Sequence, residues 1–238
     1  MTPSPSTTSV RDLMNIHLAA LFTHDARARI VRVNESGGSS APRFAFGMTT
    51  QGNVWRFRHD LADDLVGKLE ALCQAEPTIT DLGQPPRHRD AYIRILSTSS
   101  PVEAVSAGPA FYLPNESSLS ATTTVVTDAN IDVLRGGLEA WVPDVAYRQP
   151  FHAVVRDRRA ISVCCSVRIT PDAHEAGVET LENFRGRGYA TTVVTGWVGA
   201  VRRMGCVPMY STSWENTASQ AVARKSRLVQ YGTDFHIT

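Results

Sequence analysis

Two glycines flank one arginine in Arg185-Gly186-Arg187-Gly188, directly ahead of Tyr189-Ala190-Thr191-Thr192, a stretch that opens a helical pattern. Glycine takes backbone conformations closed to other residues and lets a chain pass close to a ligand. A helix starting at such a turn points its unpaired N–H groups, and the positive end of its dipole, at one spot. That arrangement suits a phosphate, and nearby arginine charge adds to it. The plainer alternative is a tight strand-to-helix connection with no ligand. Two common phosphate loops do not fit. The third glycine of the dinucleotide fingerprint is replaced by Thr191, with no acid near 208–211 to hold a ribose. No Gly-Lys-Ser/Thr follows, as a nucleoside-triphosphate loop would require.

Glu175 and Glu179 stand on the run that leads into this loop. Four residues apart on a strand, they share one face, with Gly177 between them. Carboxylates so placed can remove protons, or can be solvated strand residues. His174 adjoins Glu175 and is expected as a solvated strand-edge side chain. The histidines show no metal-ligand spacing, so no metal is expected.

The elements that must position these groups are legible in outline. Leu13, Ile16, Leu18 and Leu21 predict a helix over 10–22, and the alternation over 28–33 predicts a half-buried strand. Strands are expected over 43–48 and 54–58. A helix is expected over 60–75, with acids in its first turn and Pro77 to end it, and a short one over 90–96. From 97 to 120 the composition turns to Ser, Pro and Gly around an apolar patch at 109–113, which marks the domain boundary. Beyond it, the pattern predicts a strand over 122–127 and a helix over 130–141 despite Gly136-Gly137. A hairpin follows, with arms 151–155 and 161–169 about Asp157-Arg158-Arg159, and then a strand over 176–181. The chain continues with a helix over 189–204 closed by Gly205, a strand over 207–211, a helix over 216–227 and a last strand over 234–237. The fold class is α/β, divided at 1–110 and 111–238.

Composition sets the remaining bounds. The chain has 238 residues, 42% apolar and 20% charged, which suits one or two globular domains with real cores. A net charge of +1 gives no electrostatic case for a nucleic-acid or membrane partner. Residues 1–10 read as a frayed Ser/Thr/Pro tail without the apolar core of a signal peptide. No run approaches the ~18 apolar residues of a membrane span. The four cysteines make no Cys-x-x-Cys pair, and Cys164 and Cys165 point to opposite faces of a strand. Free thiols and a cytoplasmic location are the expectation.

The segment Arg185-Gly186-Arg187-Gly188-Tyr189-Ala190 resembles the R/Q-x-x-G-x-G/A signature of the GNAT superfamily of N-acetyltransferases. A hairpin before it, an amphipathic helix after it, and Asn216-x-x-Ser219 at the head of a second helix agree. The resemblance covers roughly 122–237 and is strongest over 175–223. It implies a mixed β-sheet flanked by helices, with acetyl-CoA in a cleft where the strands ending at Leu181 and Ser213 part. Amides of Arg187, Gly188, Tyr189 and Ala190 would hold the diphosphate, with Arg185 and Gly186 in the same loop and the Thr191 hydroxyl as a further donor. Val178 and Thr180 would pair with pantetheine like an added strand, an amide near Thr180 polarising the thioester carbonyl. Asn216 would bind pantetheine or cap its helix.

An alkylamine near pKa 10 is neutral in about one molecule per thousand at pH 7, so a base is needed. The resemblance makes Glu175 the first choice and Glu179 the second. The tyrosine that many relatives use to protonate the leaving thiolate is replaced by Ala223. Ser219 is the substitute, with Tyr210 and Tyr231 as alternatives. Arg227 stands where a glycine usually closes that helix. The implied activity is acetyl transfer from acetyl-CoA to a primary amine of a small molecule, with the N-terminal region setting specificity. A non-catalytic acyl-CoA sensor and a longer-chain acyltransferase stay open, as does a homodimer.

Overall fold

The computed structural model describes residues 8–35, 37–38, 40–114 and 121–238, so most of the expected tail and the end of the boundary segment lie outside it. The chain divides into two compact units. One comprises 1–111 with 211–216 and 230–238, the other 112–210 with 217–229.

In the first unit, α1 (Val10–Leu21) starts at Ser9, whose hydroxyl accepts the Asp12 amide at 3.1 Å. A short ribbon follows, β1 (Phe22–His24) with β2 (Ile30–Val33), of which β1 was not expected because only three residues take part. Next come β3 (Phe44–Thr49), β4 (Val54–Phe57), α2 (Asp63–Ala75), α3 (Arg89–Ser97), β5 (Val105–Tyr112) and, at the end of the chain, β11 (Val229–Ile237). The sheet order is β4-β3-β11-β5. Strand β3 is buried along its whole length because both faces are covered. On one face Gly47 lies so close to α1 that a Cβ would fall 2.3 Å from Met14 Cγ. On the other, Phe44 and Phe46 pack on Tyr92 of α3 at 4.9 and 5.8 Å. The buried Glu76 carboxylate fixes the entry to α3. It accepts from the amides of Arg87 and His88, from His88 Nδ1 and from Tyr92 Oη.

Two features of this unit go beyond the sequence pattern. The composition shift near 109–113 conceals β5, whose Gly108 and Pro109 argue against a strand in sequence but fit this one. A Cβ at Gly108 would sit 1.7 Å from the Thr212 carbonyl oxygen, so glycine answers a close backbone approach. The last strand runs from Val229, five residues earlier than expected, and pairs antiparallel with β3 from Gly232↔Thr49 to Ile237↔Phe44.

The second unit holds β6 (Thr124–Val125), β7 (Phe151–Arg156), β8 (Arg159–Ile169), β9 (Ala173–Thr180), α4 (Tyr189–Arg203), β10 (Val207–Ser211) and α5 (Thr217–Lys225). The order is β10-β9-β8-β7-β6, antiparallel except for the parallel pair β9–β10, hence a mixed sheet. The β7–β8 hairpin turns through Asp157 and Arg158, both at positive φ (49° and 60°), a geometry matched to strand twist.

Helix α4 covers one face of this sheet with Val193, Val194, Trp197, Val198 and Val201. The predicted helix over 130–141 is instead two 3₁₀ turns, Asp128–Leu134 and Glu139–Asp144. Gly136 and Gly137 at φ 100° and 131° break it, and the Glu139 carboxylate accepts both glycine amides, restarting the chain in a new direction. These turns pack a second core, including Leu134, Leu138, Val145, Phe151, Val163 and Cys165, on the face opposite α4. All four cysteines are free, and burial raises the Cys165 thiol to about 12.

His152 on β7 shows how tightly α4 is seated. Its Nδ1 meets Thr123 Oγ1 at 2.8 Å, and Gly196 of α4 approaches so closely that a Cβ would fall 3.2 Å from that nitrogen. Burial, then the Arg203 charge, lower the His152 pKa to about 4. The folded protein thus refuses a proton that the unfolded chain accepts near pH 6.5. Stability should rise with pH between about 4 and 6.5, and acidification across that window should cost about 3 kcal/mol at this site. Urea midpoints measured from pH 4.5 to 7.5 on wild type and His152→Asn check this. The variant should show a flatter acid slope, and parallel slopes would refute the assignment.

Candidate functional site

Strand β9 runs into a single 3₁₀ turn, Glu182–Phe184, and then into α4. Backbone bonds use the amides of Phe184 (to Leu181 O, 2.8 Å) and Arg185 (to Glu182 O, 3.1 Å). Gly186 and Gly188 then take φ of 75° and 85°, and Gly188 caps the helix. A Cβ at either glycine would meet nothing within 4 Å. Positive φ rather than crowding is therefore what demands glycine, and the loop stands open on that side. Among the described residues, no protein group accepts the amides of Gly186, Arg187 or Gly188. Those of Tyr189, Ala190 and Thr191 open α4 and have no intrahelical acceptor. Six consecutive N–H groups are available at one junction.

The rim of this junction is basic and aromatic. The Arg187 guanidinium lies 5.7 Å over the Phe184 ring, and Arg156 lies 6.0 Å over Tyr189, whose ring is 6.3 Å from Phe184. Arg185 Nε donates to Thr180 O at 3.3 Å. Such stacking holds long side chains in place while leaving their N–H groups free to meet an anion. Arg156 is the member that sequence reading missed. It ends β7 about thirty residues upstream, and only the hairpin fold returns it to the loop.

The second feature is a fork. Parallel pairing of β10 with β9 runs from Val207↔Ala173 to Met209↔Glu175. Strand β9 continues to Thr180, still paired with β8 as far as Ser162↔Thr180. The edge of β9 over 176–180, with Val178 and Thr180 in it, is thus not paired with β10. It leads directly to the six amides. Such an edge can accept an extended ligand through backbone hydrogen bonds.

The two glutamates differ. Glu175, on the last paired rung of the fork, is 1% exposed, so it is no solvated strand carboxylate. Glu179 is half-buried, and its Oε2 accepts from Trp141 Nε1 at 2.5 Å. Trp141 in turn carries the Arg148 guanidinium at 5.3 Å and reaches across Gly177, where a Cβ would fall 3.3 Å from its ring. Glu175, Gly177 and Glu179 thus share the face covered by the 3₁₀ turns. His174 is also buried, contrary to expectation, because it lies under α4. Its Nδ1 meets Ser166 Oγ at 2.8 Å, and the same hydroxyl accepts from Trp197 Nε1 at 3.0 Å.

Across the fork, Tyr210 Oη and Ser219 Oγ are 2.6 Å apart. Burial raises the Tyr210 pKa to about 12; the Ser219 bond opposes this, and the charges of Cys164 and Glu175 add to it. Ala223 is fully buried, and Arg227 does adopt φ 59°. Asn216 immediately precedes α5 and is exposed, its amide donating to Ser213 O at 3.2 Å. Thr191 occupies the third position of α4, partly exposed. Among the described residues, no group of three or more His, Cys, Asp or Glu could hold a metal ion, and no helix is long and apolar enough to cross a membrane.

Comparison with known families matches residues 152–226 to the GNAT acetyltransferase family. That span begins in β7 and takes in the fork, the glycine junction and α5. That segment matches the GNAT acetyltransferase family. Solved structures similar to the chain include a GNAT-family acetyltransferase from Colwellia psychrerythraea (11% identity, TM-score 0.49, covering 78% of this chain and 76% of that one). Another is a GCN5-related N-acetyltransferase-like protein from Streptococcus suis (12%, 0.44, 83% and 85%). A GNAT-family protein from Novosphingobium aromaticivorans is 15% identical with a TM-score of 0.46, over 57% of this chain. The chain spans 65% of that protein, just under two thirds of its length. No curated protein matches the sequence. The matched segment carries every predicted site residue, and those of the glycine loop lie at one junction.

Proposed function

We propose that the chain transfers an acetyl group from acetyl-CoA to a primary amine of a small molecule, by direct attack of the amine on the thioester. The observation that carries this reading is the fork that ends on six open amides. A diphosphate at the junction of β9 and α4 would receive backbone donors, the α4 dipole and the charge of Arg156, Arg185 and Arg187. Pantetheine would then lie along β9, with Val178 and Thr180 pairing to it, and would bring the thioester toward Glu175. In this arrangement Glu175 takes a proton from the bound ammonium, and Ser219 supplies one to sulfur. Glu179 is already held by the Trp141 indole, which makes it the weaker candidate base.

The test is to incubate the protein with acetyl-CoA and a panel of small primary amines while following free thiol. Amine-dependent thiol release is expected. Tight coenzyme binding without release for any amine would favour the second reading, a non-catalytic acyl-CoA sensor. The buried Ala223, at the position where relatives often place a tyrosine acid, is the observation on that side. Repeating the assay with longer acyl-CoA donors decides the acyl chain.

A further inference from the structure

We propose that Tyr210 and Ser219 form a two-hydroxyl relay that delivers the proton to the departing thiolate; this rests on the acetyl-transfer reading above. The contact that supports it is the 2.6 Å separation of Tyr210 Oη and Ser219 Oγ, short enough for a proton to pass between them. Tyr210 is 4% exposed and follows Met209, the last residue of β10 paired with β9. Ser219 is partly exposed, in the first turn of α5. The pair thus runs from a buried phenol at the mouth of the fork to a hydroxyl that a ligand can reach.

The proton balance closes. Glu175 takes the first proton of the bound ammonium and passes it to solvent, and the neutral amine attacks the thioester carbonyl, forming the C–N bond. Glu175 then withdraws the nitrogen's second proton. As the C–S bond breaks, sulfur takes the Ser219 hydroxyl proton and Ser219 takes that of Tyr210. The resulting phenolate is reprotonated from solvent through Ser219 as the products leave, and Glu175 releases its proton to solvent. No oxidant or further reactant is required. A serine alone is a poor acid, and a phenol behind it makes the donor competent without any side chain larger than alanine at 223. Ser219 is the group that meets sulfur, and Tyr210 acts through it.

The experiment is single-turnover acetyl transfer from acetyl-CoA to the best amine of the panel, for wild type, Tyr210→Phe, Ser219→Ala, Ser219→Thr and the Phe/Ala double variant. Coenzyme A affinity is measured alongside by calorimetry. Each hydroxyl deletion should slow the chemical step about 10²-fold, the usual worth of a positioned acid. Affinity should stay within about twofold, and Ser219→Thr should recover most of the rate. The double variant should be no slower than the slower single, because one relay is broken only once. Proton inventories in mixed light and heavy water should show two protons in flight in wild type and one in Tyr210→Phe.

Either single deletion within twofold of wild type would overturn the relay. So would a double variant slowed by the product of the singles, or unchanged inventory curvature. If Tyr210→Phe fails to fold, the Ser219→Ala and Ser219→Thr pair decides, since Ser219 is not buried. Wild type that binds no coenzyme A refutes the underlying reading, whereas an active wild type indifferent to both deletions refutes only the relay.

Discussion

Gly188→Glu will abolish detectable coenzyme A binding while leaving the protein folded. Gly188 sits at φ 85° and caps α4, with open space where a Cβ would go. A side chain there is not crowded; its cost is left-handed strain of about 1–2 kcal/mol. Glutamate does two further things. Its carboxylate can take the amides at the head of α4 for itself, a favourable cap, and it opposes a diphosphate with like charge where the dipole is strongest. The expected loss is at least about 10²-fold, from competition and repulsion together. Gly188→Ala carries the backbone strain without the charge; because that strain is present with and without ligand, it should lower stability by about 1–2 kcal/mol and leave affinity within about threefold. Calorimetric titration at low and at 0.5 M salt measures both, and salt should narrow the gap between Ala and Glu because screening acts on the charge term alone. Unchanged affinity in Gly188→Glu would remove the junction from the site.

Glu175→Gln will reduce turnover about 10²- to 10³-fold while coenzyme A affinity is kept. The glutamine keeps the size of a side chain that is 1% exposed at the end of the β9–β10 ladder, so the fork should survive. What is lost is proton removal. Without it the enzyme depends on amine already neutral in solution, about one molecule per thousand at pH 7 for an alkylamine. The variant should therefore gain about tenfold in rate per pH unit between pH 7 and 9, following the amine. Wild type should rise less steeply, because its carboxylate deprotonates the bound ammonium. Initial rates of thiol release across that range give both slopes. Equal slopes with equal rates would deny Glu175 the role of base. Glu179→Gln, by contrast, changes a carboxylate already occupied by the Trp141 indole and should alter the rate less.

The local grammar of the site was open to sequence reading because it depends on residue type at short range. Gly186 and Gly188 announce positive φ, and both have it. Val207–Ser211 is a strand as the sequence predicts, because an apolar run bounded by Gly205 and Thr212 has few other choices. Two kinds of error had physical causes. The pattern around Gly136 and Gly137 predicts a helix, yet both amides bond the Glu139 carboxylate and the helix is divided. Strand alternation does not say what covers each face, so the sequence predicts a solvated His174 and leaves Glu175 open, whereas both are buried, His174 under α4.

By itself, then, the sequence determined a glycine-bent junction at the head of a helix, an α/β chain and the carboxylates upstream, each of which follows from backbone preference and short-range periodicity. Tertiary structure alone decided that Arg156 returns to that junction and that Tyr210 meets Ser219. It also set where β10 leaves β9 and seated 232–237 beside β3 in the first unit. Those are contacts between residues far apart along the chain, fixed by which strands pair and where the pairing stops, and no local pattern of residue types encodes them.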